Sequence, residues 1–493
     1  MAGSDRSHGP ARSDRGALRG TLVLLLVLLL GAGGALVWHY DLIDRWRGEP
    51  TADPSSPGAD PTDPVTVEPP TGIEAPDVVA PRPVAGQSAL RAGVDPAAVR
   101  AALQPYLGDR DLGRHLLIRV GSLAGDADAF SSGNGLAIPA STTKVVTSAA
   151  ALLAMGPDHV FTTDVRAQGN RIFLVGGGDP YLERGPTEFD GAAWPYPARA
   201  TLADLAQRTA KALRADGRRK VRLVLDDSLF SGPSVSPTWE PGYVSTGEAA
   251  PTTALWVDQG RVRAGLGRVS DPTLEAGVSF VEALRAEGIT VVGQPQRGIA
   301  GDLPSIASVH SAPLGQIVER VLDVSDNDGA EVLLRQIGLA TADEGSLDAG
   351  RVGVRTLMRE AGIDLRGSTL HDGSGLSRAN RLDPAVLVDV LRLAASEEHP
   401  EVRPVLTGLP VAGFTGSLTT RLTEGPSAAL GRVRAKTGTL SNVTSLAGIT
   451  TGVDGTVMVF VMMADRVKLE KSLDARVAMD SAAGALGACA CGG

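Results

Sequence analysis

The sequence predicts a folded body of mixed strands and helices held outside a membrane by an N-terminal anchor. Three observations predict it: an uncharged apolar run near the N-terminus, a proline-rich stretch behind it, and a body that mixes strand-like and helix-like segments without a fixed repeat. The 493 residues, 43% hydrophobic and 21% charged, are enough for a packed core and for more than one domain. Lys+Arg 47 against Asp+Glu 56 leaves a net charge of -9, so no general positive field awaits a phosphate backbone, and nucleic acid is excluded as the expected partner.

Taken in order, residues 1–19 are a basic cytoplasmic leader with Arg6, Arg12, Arg15 and Arg19. Residues 20–38 carry no charge and include the Leu/Val run 22–30, long enough to cross a bilayer. The basic flank stays inside, so everything beyond Trp38 is expected outside the cytoplasm. An uncleaved single-pass signal anchor is the expectation, and secretion after cleavage near the small residues 32–35 is its alternative. Residues 39–86 form a linker: ten prolines between 49 and 83, mixed with Thr, Asp and Ser, favour extended segments and deny a core.

Globular texture begins near Gly86. Segments 115–123, 171–175, 221–226, 443–449 and 456–463 read as strands, the last two joined by a turn containing Asp454-Gly455. Segments 141–155, 202–215, 317–333, 384–395 and 469–486 read as helices. The two cysteines, Cys489 and Cys491, read as part of a loose C-terminal tail rather than a local disulfide or metal contact, because so short a loop strains the bond geometry.

Lysine usage carries the first chemical information. Only six of the 47 basic residues are lysine, and two of the six sit in short polar motifs. An amine can give up its proton where a guanidinium cannot. Ser141-Thr142-Thr143-Lys144 places hydroxyl and amine on one helical face, with the serine at the positive end of the helix dipole. In a dry site such a lysine accepts the serine proton and passes it on. Ser325-Asp326-Asn327 follows an apolar segment in a polar break; Ser325 suits a proton relay and Asn327 a hold on a substrate carbonyl. Lys436-Thr437-Gly438-Thr439 lies in the strand-like stretch 433–440. There Lys436 and the threonine hydroxyls suit a carboxylate, Gly438 admits substrate to the backbone, and the amides of Thr439 and Ser141 suit an oxyanion. Neither H-E-x-x-H nor G-x-S-x-G occurs, so no metal, no cofactor and no serine-histidine elbow is expected.

S-x-x-K, S-D-N and K-T-G in this order form the signature set of the active-site-serine penicillin-recognising enzymes. The long gap between the first two motifs resembles the low-molecular-mass class C penicillin-binding proteins, the D-alanyl-D-alanine carboxypeptidase/endopeptidases of peptidase family S13. Gly176-Gly177-Gly178-Asp179-Pro180, the stretch from Asp372 to Arg378, and Leu409-Pro410-Val411-Ala412-Gly413 are similar to the same family. The resemblance covers residues from about Gln87 to the C-terminus. Tyr181 departs from it, standing where relatives often have a small hydroxyl residue.

The resemblance implies an α+β fold, a mainly antiparallel sheet flanked by helices, built from 87–160 and 312–493, with 161–311 as a large α/β insertion. It implies a serine-type D-Ala-D-Ala carboxypeptidase acting on peptidoglycan stem peptides, and on beta-lactams that mimic them, through an acyl-enzyme on Ser141. Asp179 and Arg378 would then bind the amine and carboxylate of the stem peptide's diamino acid. A beta-lactamase and a non-catalytic muropeptide-binding envelope protein are the competing readings.

Overall fold

The computed structural model describes residues 93–185, 196–263, 267–423 and 425–493. The expected leader, anchor and linker lie outside the described residues, and among those described no helix is long and apolar enough to cross a membrane.

The chain enters through α1 (Pro96–Leu103), capped by Asp95, and then forms β1 (Leu116–Ser122) and β2 (Asp128–Ser132). Far along the chain, β9 (Val433–Leu440), β10 (Val443–Thr451) and β11 (Val457–Ala464) complete an antiparallel five-stranded sheet in the order β2-β1-β11-β10-β9. β11 sits at its centre, and its alternation shows the layering. Val459, Val461 and Met463 join the core under α2 (Thr143–Met155), while Met458, Phe460 and Met462 join the core on the other face under α9 (Ser472–Gly487). Helices therefore cover both faces, as expected, and β9 is left as an edge.

A second sheet collects the strands between Thr162 and His310. β3 (Thr162–Gln168) pairs antiparallel with β4 (Arg171–Val175) and β8 (Ser305–His310), and β5 (Lys220–Asp226) lies parallel to β4. Two short strands, β6 (Thr290–Val291) and β7 (Gln296–Arg297), pair with β5. α3 (Leu202–Ala215) and α4 (Pro272–Ala286) bury their apolar faces against this sheet in a core of its own.

Two expectations are corrected. The helical pattern over 317–333 is two helices, α5 (Leu314–Asp323) and α6 (Asn327–Ala342). Ser325 at φ 61 takes the left-handed conformation and Asp326 caps α6 by accepting from Gly329 N at 3.1 Å, so the backbone turns between them. The cysteines are not in a loose tail: Cys489 and Cys491 are disulfide-bonded, Cys491 is buried, and its carbonyl accepts from Asp95 N at 2.8 Å. The last residues are tied to the start of the folded body, a contact between chain ends that local spacing does not reveal. Downstream of α6, α7 (Leu347–Glu360) and α8 (Pro384–Ala395) pack with α2 in the core on that face of the first sheet.

Candidate active site

The site is built where α2 begins, α6 begins and edge strand β9 passes. A short turn, Ala140–Thr142, precedes α2. Within it Ala140 is fully buried at φ 49, a conformation that costs a non-glycine residue about 1–2 kcal/mol. Thr142 Oγ1 donates to the Pro139 carbonyl at 2.7 Å and Thr143 Oγ1 to the Ala140 carbonyl at 2.8 Å, fixing the turn that carries Ser141. α2 is buried from Thr143 to Leu152, so the helix that follows Ser141 runs through the core.

One turn on, Lys144 is completely buried. Its Nζ lies 3.0 Å from Ser141 Oγ and donates to Asn327 Oδ1 and to the Ser374 carbonyl, both at 2.7 Å. Burial pulls this amine down to about 8 against the smaller opposing pull of the carboxylates of Asp372, Asp326, Glu331 and Asp328. Lys144 is thus an amine in hydrogen-bond contact with the Ser141 hydroxyl that holds its proton more loosely than an ordinary lysine.

Asn327, the first residue of α6, uses its amide oxygen for Lys144 and donates one Nδ2 hydrogen to the Glu248 carbonyl at 2.8 Å. A carboxamide nitrogen has two hydrogens, which leaves one for a substrate carbonyl. The positive φ of Ser325 sets its side chain in the wall of the same cleft, about 450 Å³, that Ser141, Asn327, Thr437 and Thr439 line.

β9 supplies the third motif. Lys436 is fully buried beneath the cleft, with Nζ donating to the Thr437 carbonyl at 2.9 Å. Burial first, then the charges of Lys144 and Arg421, hold its amine well below the usual lysine range. Thr437 Oγ1 donates to Ser417 Oγ at 3.0 Å. Gly438 is required by contact: a Cβ there would stand 2.1 Å from Ser445 Oγ, 2.7 Å from the Pro139 carbonyl and 3.1 Å from Ser141 N. The strand backbone therefore runs directly against the turn that carries Ser141.

The two residues carried over for the side-chain end of the substrate part company. Arg378 is at the cleft, its Nη1 donating to the Ser441 carbonyl at 2.8 Å. Asp179 does not line the cleft. It is buried, accepts from Tyr181 N at 2.8 Å, and burial pushes its carboxyl up to about 7. Its glycine loop is packed against other backbone; a Cβ on Gly177 would fall 1.9 Å from the Thr162 carbonyl. The acid that meets Arg378 is Glu240, 3.6 Å away in the cleft wall beside Tyr243.

Sequence reasoning also missed the frame behind Lys144. Glu331 Oε1 accepts from Gly373 N at 3.0 Å and Ser374 N at 2.8 Å, and so positions the carbonyl that Lys144 binds. Asp372 accepts from Trp239 Nε1 at 2.8 Å and Asn380 Nδ2 at 2.7 Å, closing the same loop. Among the described residues no group of His, Cys, Asp or Glu is arranged to hold a metal.

Comparison with known proteins finds a matching family, relatives in sequence and a likeness in structure. The model of the D-Ala-D-Ala carboxypeptidase 3 (S13) family matches residues 99–268 and 263–486. The chain is 34% identical over 484 residues to the carboxypeptidase DacB of Mycolicibacterium smegmatis, covering 96% of this chain and 97% of that protein. It is 33% identical over 390 residues to a D-alanyl-D-alanine carboxypeptidase of an Actinomadura species, covering 64% and 71%. In structure it is similar to penicillin binding protein 4 (dacB) of Haemophilus influenzae, with TM-score 0.63 and 21% identity over 79% of this chain and 98% of that one. That likeness establishes the penicillin-binding fold.

Proposed function

The chain belongs to the D-Ala-D-Ala carboxypeptidase 3 (S13) family, and from that premise we propose how its residues divide the work. It is a serine-type carboxypeptidase/endopeptidase of peptidoglycan. Ser141 Oγ attacks the carbonyl of the penultimate D-alanine while its proton passes to neutral Lys144 Nζ. The developing oxyanion is held by the amides of Ser141 and Thr439. As the tetrahedral intermediate collapses, the C–N bond breaks and the proton travels from Lys144, relayed by Ser325, to the departing amine of D-alanine. Water then attacks the ester and gives its proton to the same lysine; as the bond from the acyl carbon to Ser141 Oγ breaks, the lysine returns that proton to Oγ and the shortened peptide leaves.

Lys436, Thr437 and Thr439 receive the terminal carboxylate. The free N–H of Asn327 orients the peptide carbonyl. At the other end of the cleft, Arg378 with Glu240 meets a side chain that carries both a carboxylate and an amine. Endopeptidase cleavage uses the same atoms with a different leaving amine, and a beta-lactam ring opened by Ser141 leaves a stalled acyl-enzyme. Residues 161–311 act as an insertion domain on the catalytic body of 87–160 and 312–493. Residues 20–38 anchor that body on the outer side of the cell membrane, with release after signal cleavage as the alternative.

The observation that carries this reading is the 3.0 Å contact between Ser141 Oγ and a fully buried amine. Mass spectrometry after penicillin treatment tests it: a penicilloyl adduct on the peptide containing Ser141, absent from Ser141→Ala, is expected. An adduct elsewhere, or rapid turnover to free penicilloic acid, would overturn it.

A further inference from the structure

In the proposed function, on which this inference rests, Asn327 does two things at once: its amide oxygen holds Lys144, and its amide nitrogen keeps one hydrogen for the substrate. A carboxamide turned end for end has nearly the same shape. Turned, it would aim an Nδ2 hydrogen at Lys144 Nζ and occupy the lone pair that has to take the Ser141 proton. The end that faces the lysine must therefore be fixed from outside the residue.

The neighbour that decides is the Glu248 carbonyl. It can only accept, so the amide atom 2.8 Å from it is the nitrogen, and the atom turned to Lys144 is the oxygen. Asn327 Oδ1 and the Ser374 carbonyl each take an Nζ hydrogen at 2.7 Å, which leaves the lone pair of the neutral amine for Ser141 Oγ at 3.0 Å. Glu248 is exposed in the cleft wall, just after the single helical turn Tyr243–Thr246. What holds its carbonyl against α6 lies two residues on.

There the fully buried Ala250 donates its N–H to Asp328 Oδ1 at 2.6 Å, and the other oxygen of Asp328 accepts from Arg268 Nη2 at 2.6 Å. The two charged side chains are 2% and 9% exposed. Arg268 also ties back to the helical turn, its N–H donating to the Val244 carbonyl at 3.1 Å. Glycine permits that approach: a Cβ on Gly267 would stand 2.8 Å from the Ser245 carbonyl. Gln259 Nε2 adds a bond to Asp326 Oδ2 at 2.6 Å. Residues 248–268, from the chain between the first two motifs, thus grip three consecutive residues at the start of α6: Asp326, Asn327 and Asp328. Burial and then Asp326 push the Asp328 carboxyl up to about 7, against Arg268, the Ala250 amide and Arg261. An acid in so dry a place depends on both of its partners, and it joins them at the residue next to Asn327.

We infer that Asp328, held by Arg268, is a positioning residue for Asn327: by pinning Ala250 it keeps the Glu248 carbonyl where it turns the Asn327 amide oxygen toward Lys144. The chain between the first two motifs thereby supplies part of the active site's geometry.

The test is a double-mutant cycle on the full-length protein, read by stopped-flow acylation with a fluorescent penicillin and by urea midpoints. Asp328→Ala leaves Ala250 N and Arg268 without their acceptor and should slow acylation about tenfold or more. In an Asn327→Ala background, already slow, the same change should alter the rate by no more than about twofold, because no amide is left to orient. Its effect on the urea midpoint should be the same in both backgrounds. Asp328→Asn with Arg268→Met keeps an oxygen for Ala250 N without an unpaired cation, and should return the rate to within about threefold of the parent. Arg268→Ala, which spares Asp328, runs the same cycle with a smaller drop should Asp328→Ala not fold. A folded Asp328→Ala, or Arg268→Ala in its place, that acylates at the parent rate overturns the inference, as does a slowing of the same size with and without Asn327. A parent that forms no penicilloyl adduct overturns the proposed function itself.

Discussion

Replacing Lys144 by arginine isolates the step on which the chemistry depends. The ordinary lysine value of 10.5 falls to about 8 in this site because the amine is fully buried. At about 1.4 kcal/mol per unit, the folded protein disfavours the charged amine by about 3 kcal/mol. Some tenth of the molecules then carry a neutral Lys144 at pH 7, against well under a thousandth for an exposed lysine. The second-order rate of acylation by a fluorescent penicillin, followed by stopped flow, should therefore climb about tenfold per pH unit below about 8 and level off above it. Arginine at 144 keeps positive charge and length but cannot be emptied of its proton, so acylation at neutral pH should fall by a factor on the order of 10^2 to 10^4 and lose the profile. A parent profile that is flat across this range, or that keeps rising toward the ordinary lysine value, would refute the low-pKa amine as the base.

The same burial has a signature in stability. Because the folded value lies below the unfolded one, the unfolded chain binds more protons between about 8 and 10.5, and the parent gains stability relative to Lys144→Met as pH rises through that window; urea midpoints that keep a constant difference would contradict this. Gly438→Ala places a methyl 2.1 Å from Ser445 Oγ and 3.1 Å from Ser141 N, so β9 must move off the nucleophile; penicillin labelling should fall on the order of a hundredfold, and a near-parent rate would mean the strand does not form the oxyanion wall. Burial and then Asp372 raise the Glu331 carboxyl toward neutrality, so Glu331→Gln should acylate at about the parent rate. Glu331→Ala strands the amides of Gly373 and Ser374 at a cost on the order of 3 kcal/mol; equal urea midpoints for the two variants would remove Glu331 from the frame. A substrate carboxylate arriving near two buried ammoniums should raise their proton affinity, so the pH midpoint of kcat should lie above that of kcat/KM; coincident midpoints would place that carboxylate elsewhere.

The three polar motifs that meet at the cleft were legible because their chemistry resides in side-chain type. A hydroxyl three residues before a rare lysine, and a lysine before Thr-Gly-Thr, can be read before any fold is known. Many of the elements were legible too: β4 and α3 run as their periodicity predicts, and the β10–β11 hairpin turns at Asp454-Gly455. What stayed hidden is of another kind. The Ser374 carbonyl that holds Lys144 is backbone, which no residue type announces. Glu331 and Asp372 are two among 56 acids until burial distinguishes them. Glu240, and not Asp179, is the acid at the cleft beside Arg378, because the glycine loop before Asp179 packs into its neighbours, a long-range contact without local trace.

Lysine usage connects the two levels. The chain buries a cation for structure at Arg335, whose guanidinium donates to the carbonyls of Ser231, Gly345 and Pro233 and lies over the ring of Phe230. A guanidinium suits that position because it stays charged and has several fixed donors to satisfy. The two fully buried lysines are Lys144 and Lys436, at the cleft. Lys211, Lys220 and Lys468 are exposed, and Lys471 is an ion-paired surface residue. Burying an ammonium costs more than burying a guanidinium, and the excess is recovered only if the group gives up its proton in the cycle or works on an anion brought to it. An arginine-rich chain that retains amines at those two interior positions has accepted that cost where a movable proton and a compact cation are both needed. Lys144→Arg therefore distinguishes the need for proton release from the need for charge.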